Sequence, residues 1–287
     1  MRLSYLPPLM VYVAAGISGL TGIVGTFFVE DHLGLSAEFL AALGFWAGIP
    51  WALKMPLGHL VDLIWRWKSG LVFLGAGLIA ASLAIMIGLL ASPEMMRQTM
   101  SAEAWFVLSA LLAPVGYVVQ DVVADAMTVE AVPRVDDQGQ PLASAALKLM
   151  HTTMQTLGRV AIIGGSVAVA LANVTLFSGV EQMSGADKIA VYIRIYEYAL
   201  AIPVVSVLGV MLAGWLKMRH ARALRAQGHG WRQALEMAGG PHQRPQPNWW
   251  ILGGSLAFVV FTLSIGLAEV PYNQEIIFAG SFGIIAF

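Results

Sequence analysis

Seven stretches of mostly apolar residues, each long enough to cross a bilayer as a helix, constrain this chain more than any other feature. They run over residues 7–29, 38–61, 69–92, 104–132, 149–180, 190–216 and 249–271. About 20 such residues suffice to cross the hydrocarbon core as a helix, and a helix satisfies its own backbone polar groups there. Composition agrees: 58% of the 287 residues are apolar and 11% are charged, whereas a soluble domain carries about 25% charge. So few charges cannot coat a chain of this size, and most of its surface must meet lipid. The expected fold is an all-α polytopic membrane protein. The first stretch is too long for a signal-peptide core and further spans follow it, so it is read as a retained helix. A formal net charge of −1 gives no argument for a nucleic-acid partner, and the absence of cysteine excludes disulfides and thiolate metal sites.

An eighth apolar run begins at Ile276 and stops with the sequence at Phe287. It is too short to span, so the expectation is a fragment of a longer protein, with four or five further spans and no transport by the fragment alone.

Basic residues in short loops set orientation. With the N-terminus inside, the cytoplasmic side receives Arg2, Lys54, Arg66, Lys68, Arg134, Lys148, Lys217, Arg219, Arg222, Arg225, Arg232 and Arg244. The outer side receives only Arg97, Lys188 and Arg194, and Arg159 lies within the fifth span. The N-terminus is therefore expected in the cytoplasm, in an inner or plasma membrane. Residues 217–248 are basic at first and then rich in Gly and Pro, and Trp249 opens a fresh span with an interfacial pair of tryptophans. Six spans, a long basic loop and more spans match transporters built from repeated halves. The expected organisation is a six-helix bundle over 1–216, a cytoplasmic central loop over 217–248 and the start of a second bundle over 249–287. A seven-helix protein with one long loop is the simpler alternative.

Charges inside a membrane are expensive and normally face a bundle interior. In the fourth span Asp121 and Asp125 are four residues apart and share a helical face. In the fifth, Arg159 is eleven residues from Lys148, a depth close to that of Asp121 measured back from Arg134. Antiparallel neighbours at equal depth would bring Asp121 and Arg159 together. Three readings of this trio stay open. Arg159 is released from Asp121 to hold an anionic substrate, or one carboxylate carries the coupling proton, or the pair merely fixes packing. His151, Thr152, Thr153, Gln155 and Thr156 precede Arg159, and Gly164 and Gly165 follow it, as in a cavity-lining helix that packs tightly farther along. His151 and Gln155 are counted with the substrate and proton pathway. Ala15, Gly19, Gly22 and Thr26 give the first span a similar small stripe. Arg194 and Glu197 are expected to pair locally, and Glu30 and Glu269 close the first and seventh spans alike.

Between spans two and three the chain reads Gly58-His-Leu-Val-Asp62-Leu-Ile-Trp-Arg66-Trp-Lys68. Gly58, Leu60, Asp62 and Arg66 resemble the loop motif of the major facilitator superfamily, from which Leu63 and Trp65 depart. The resemblance implies that this loop latches two bundles at the cytoplasmic face. Phe27-Phe-Val-Glu-Asp-His-Leu-Gly-Leu-Ser36, Ile49-Pro-Trp-Ala-Leu-Lys-Met-Pro-Leu-Gly58 and Asp121-Val-Val-Ala-Asp125 together resemble the folate-biopterin transporter family. Lys54, Asp62 and Glu130 occupy matching positions, Met55 is an insertion-like departure, and Leu157-Gly-Arg-Val-Ala-Ile-Ile-Gly-Gly165 is similar to that family's fifth span. Lys54 and Glu130 are grouped with Gly58, Asp62 and Arg66 in the expected latch. The resemblance implies a secondary transporter of small anionic organic solutes such as folates or pterins, driven by protons and needing no cofactor. Gln120 beside Asp121 also resembles muropeptide permeases.

Other classes fit less well. The Asp-x-x-x-Asp spacing matches the Mg²⁺-diphosphate motif of membrane prenyltransferases, but a bound diphosphate would need a second facing carboxylate cluster. Asp187 is isolated and Asp136-Asp137 only follow the fourth span. The six His residues include no His-x-x-x-His pair that would hold zinc on a helix. A non-transporting assembly protein on the same scaffold remains the third class.

Overall fold

In a computed structural model, residues 3–133, 140, 142–238, 246–267 and 271–286 are described, apart from the side chains at 31, 32, 66, 236, 267, 274 and 284–286. The fold is all-α and polytopic, as the apolar runs require. The first span comprises α1 (Leu6–Gly16) and α2 (Gly22–Phe28), joined by a 3₁₀ turn over Ile17–Thr21. It ends where Gly34 takes a left-handed φ of 57°, a conformation suited to glycine. The second span is α3 (Ala37–Ala52) and α4 (Lys54–Leu63), and the third is α5 (Lys68–Ala91). After the short α6 (Pro93–Arg97) come α7 (Ala102–Ala131) and α8 (Ser144–Leu176), the fourth and fifth spans. The sixth combines α9 (Gly185–Ala199) with α10 (Ala201–Ala226), and α11 (Trp231–Ala238) follows. Finally α12 (Trp249–Leu267) is the seventh span and α13 (Asn273–Ala286) packs on it. Among the described residues, seven helical spans are long and apolar enough to cross a membrane. The start of the 217–248 segment continues α10 as helix to Ala226.

Local chemistry sets these ends. Ser36, Ser101 and Ser184 accept the backbone N–H groups of Phe39, Ala104 and Asp187 at the starts of α3, α7 and α9, which satisfies donors a helix leaves orphaned. Pro56 lacks an N–H, and its ring would crowd the carbonyl four residues earlier, at Ala52. The second span accordingly breaks at Leu53 and starts again at Lys54.

Four spans form the core: α1 packs on α7 and α10, and α5 packs on α7 and α10. The α3–α4 pair leans on α7, and α8 leans on α1. Burial follows this plan, with 39% of the apolar window buried in α5 and in α7 but 11% in α8 and none across α3–α4. The α5–α7 seam has a regular antiparallel register. Gly75 faces Gly116, where a Cβ on either would come within 2.7 Å of the other's carbonyl oxygen. Two turns away, Ser82 Oγ donates to the Ser109 carbonyl at 2.8 Å and Ser109 Oγ donates back to Ser82 at 3.0 Å. Small residues and hydroxyls are what hold helices together where lipid is as apolar as the side chains.

Gln120 is absorbed into the same core. Its amide donates to the Val72 carbonyl at 3.3 Å and its oxygen accepts from Ser206 Oγ at 2.9 Å, which ties α7 to α5 and α10. In the first span the close approach is at Gly16, not along the expected stripe: Gly19 and Gly22 have open space or an ordinary contact. The α12 helix meets α4, where the Asn248 N–H donates to His59 Nε2 at 2.8 Å.

Candidate functional site

The break at Leu53 places Lys54 at the first turn of α4, against the middle of α7. Its ammonium lies 2.5 Å from Asp121 Oδ2 and 3.0 Å from Asp125 Oδ2. One cation thus serves two carboxylates on one helical face. The Asp121 side chain is 9% exposed, while those of Asp125 and Lys54 are 49% and 39% exposed. The site is therefore anchored in the bundle at Asp121 and open at Asp125. Tyr12 of α1 completes it by donating its hydroxyl to Asp125 Oδ1.

The expected Asp121–Arg159 pair is not formed: the partner of Asp121 is Lys54. Helices consecutive in sequence need not be neighbours in space, and here α1 lies between α7 and α8. The Tyr12 ring sits directly against Gly158, where a Cβ would come within 2.7 Å of it. Arg159, next along α8, is exposed and forms no ion pair among the described residues. It remains within electrostatic reach of Asp121 and Tyr12. Asp125, which the sequence leaves without a partner, has two, Lys54 and Tyr12.

Farther along α8, His151 is half-buried and Gln155 is exposed, and neither hydrogen-bonds to the cluster. The hydroxyls of Thr152, Thr153 and Thr156 donate to carbonyls four residues back at 2.8–2.9 Å, so they are satisfied by their own helix.

Of the expected latch residues, Lys54 lies in the central cluster just described. Glu130 pairs with Lys68, joining the end of α7 to the start of α5, and the Lys68 ammonium sits 3.4 Å over the Trp65 ring. Gly58 faces Val122 across an ordinary contact. Asp62 is exposed and makes no ion pair among the described residues, and the Arg66 side chain lies outside them, as do Arg2, Arg134, Arg244 and Glu269. Arg194 and Glu197 are both exposed and form no ion pair with each other.

A cleft reaches to within about one helical turn of the charges along the chain. It is lined by Ala15, Ser18, Trp51, Ala110, Ala113, Pro114 and Tyr117 and encloses about 320 Å³. A second cavity shares Ser18, Ala110, Ala113 and Tyr117 and extends to Ser82, Ser109 and Tyr196. Trp51 is one turn before Lys54, and Tyr117 is one turn before Asp121. The aromatic walls therefore stand on α3 and α7, and the charges follow across the break at the start of α4 and one turn farther along α7. Among the described residues no group of three His, Cys, Asp or Glu converges as a metal site would require.

Sequence reasoning missed Tyr12. The available signal was a lone phenol in the apolar first span, since a buried tyrosine hydroxyl needs a partner. It also placed Lys54 at the surface, because a proline-induced break that tucks a lysine inward is a three-dimensional event.

No protein-family model matches the chain, and no solved structure matches it significantly. A stretch of 73 residues is 34% identical to a protein of Synechocystis sp. described as a folate-biopterin transporter. That stretch covers 22% of this chain and 15% of the length of that protein.

Proposed function

We propose that this chain belongs to a secondary transporter of the major facilitator type that moves small anionic organic solutes, folate- or pterin-like in character, together with protons. The observation that carries this reading is the single lysine held between two carboxylates inside a membrane bundle, beside a cleft with aromatic walls. A cation shared by two acids is easily re-partnered. A substrate carboxylate entering from the cleft competes for Lys54, and a proton arriving on Asp121 or Asp125 compensates the charge that Lys54 leaves. Arg159, exposed on α8 and without an ion-pair partner among the described residues, supplies a second positive group for the anion. Tyr12 keeps Asp125 turned toward Lys54 throughout the exchange. The Lys68–Glu130 pair with Trp65 is the part of the latch that closes the end of the bundle. The excess of basic residues at that end supports a cytoplasmic N-terminus in an inner or plasma membrane. The partial likeness to the Synechocystis transporter supports the same class.

The test is equilibrium binding of radiolabelled folate and of a pterin carboxylate to this chain in detergent, alongside uptake of the same compounds into proteoliposomes by the whole transporter under an imposed pH gradient. Lys54→Ala and Arg159→Ala are each expected to abolish accumulation while leaving membrane insertion intact, and Asp121→Asn to flatten the pH dependence. Transport unchanged in all three variants would refute the cluster as the mechanism. Neither binding nor uptake of any small anion by the unaltered protein would favour the assembly role.

A further inference from the structure

The α10–α11 hairpin lies away from the charge cluster and carries a different chemistry. At 26 residues, α10 is about 39 Å long by the helical rise, more than the roughly 30 Å hydrocarbon core. Its last turns must therefore project into the headgroup layer. Trp215, 53% exposed, marks the boundary expected for an interfacial aromatic. Beyond it Arg219, Arg222 and Arg225 recur every three residues on one face of the helix, all exposed. The chain turns at Gly228, whose φ is 97°, and α11 packs back on α10 with Ala221 and Ala234 fully buried. Arg232 is exposed on α11, as are Trp231 and Met237.

No carboxylate among the described residues pairs with any of these four arginines or with Lys217. Glu236 is the single acid between 217 and 238, and its side chain is outside the described ones. Two arginines are instead oriented by rings: Arg219 lies 5.5 Å from the Trp215 centroid and Arg225 lies 5.9 Å from that of Trp231. A cation within about 6 Å of a ring centroid is attracted by the ring face, and that contact uses none of the guanidinium N–H donors, which stay available for phosphate oxygens. Unpaired, pre-oriented donors at headgroup depth, with exposed Trp and Met beside them, match a lipid phosphate attached to an acyl chain.

We propose that the α10–α11 hairpin is a binding surface for anionic phospholipid headgroups. Charge complementarity selects the partner, since basic clusters beside a span each add attraction to an acidic leaflet. The assignment needs only that the chain sits in a membrane, so it stands or falls separately from transport.

The experiment is native mass spectrometry of the full chain in neutral detergent, titrated with phosphatidylglycerol or phosphatidylcholine. The unaltered protein is expected to prefer phosphatidylglycerol by about tenfold or more, and to lose the preference as salt rises to about 0.5 M. Arg219→Gln/Arg222→Gln/Arg225→Gln should bind the two lipids alike, whereas the matching triple lysine variant should keep most of the discrimination. Equal binding by the unaltered protein, a preference indifferent to salt, or full discrimination in the glutamine variant would each overturn the proposal. So would displacement of the lipid by an equal concentration of glycerol 3-phosphate, which would mark a site for free anions.

Discussion

Lys54 holds two acids of unequal burial, and its removal exposes the difference between them. Asp125 can turn to water and Tyr12, but Asp121 cannot. Losing one partner of a fully buried pair costs about 3–5 kcal/mol. Here Lys54 is 39% exposed, and solvent screening brings the expected cost of Lys54→Ala to on the order of 1–2 kcal/mol. Adding Asp121→Asn should recover most of it, because the stranded charge is gone. Thermal unfolding in detergent of both single variants and the double variant measures this coupling, and strictly additive shifts would show that the ion pair contributes nothing. Tyr12→Phe removes one hydrogen bond to a half-exposed carboxylate and should cost about 1 kcal/mol in the same measurement.

Among the elements, α8 is held to the bundle chiefly through α1, and glycine decides how closely. A Cβ at Gly165 would lie 2.8 Å from the Gly16 Cα, whereas one at Gly164 meets nothing within 4 Å. Gly165→Ala should therefore force the two helices apart at a cost of about 1–3 kcal/mol. Gly164→Ala should be neutral or stabilise by up to about 1 kcal/mol, through helix propensity alone. The two neighbours form a matched pair. Equal melting temperatures for both variants would mean that the α1–α8 seam is not a tight contact. The sequence offers Gly164 and Gly165 as equivalents, and only the angular position of each on α8 separates them.

At the scale of the whole molecule, the exposed side of α8 changes character at Arg159. Thr152, Gln155, Thr156 and Arg159 are exposed before it, and Ile163, Val167, Leu171 and Val174 follow, between 54% and 75% exposed. A charge and a run of polar groups do not face hydrocarbon without cost, so the first half should border water and the second half lipid or protein. The chain has no cysteine, which makes single-cysteine labelling direct. Gln155→Cys should react with a membrane-impermeant maleimide in intact membranes or inverted vesicles, and Ile163→Cys and Val167→Cys should not. Uniform labelling along α8 would contradict this division.

The sequence by itself determined the class of fold and the seven apolar runs long enough to cross a bilayer. Apolar runs of bilayer length admit one solution for the backbone, and their count can be read without knowing any contact. It also identified Asp121, Asp125 and Arg159 as the charges that need explaining, because a charged residue stands out in an apolar span. Which charge meets which was decided only by the tertiary structure. Equal depth brought Asp121 and Arg159 into register on paper, but lateral order is invisible to depth, and α1 occupies the space between them. The helix break before Pro56 then delivers Lys54 to both carboxylates, and Tyr12 reaches Asp125 from a span that looked purely apolar. Depth along a helix follows from counting residues at a fixed rise, whereas neighbours across a bundle follow from which small residues let which helices approach.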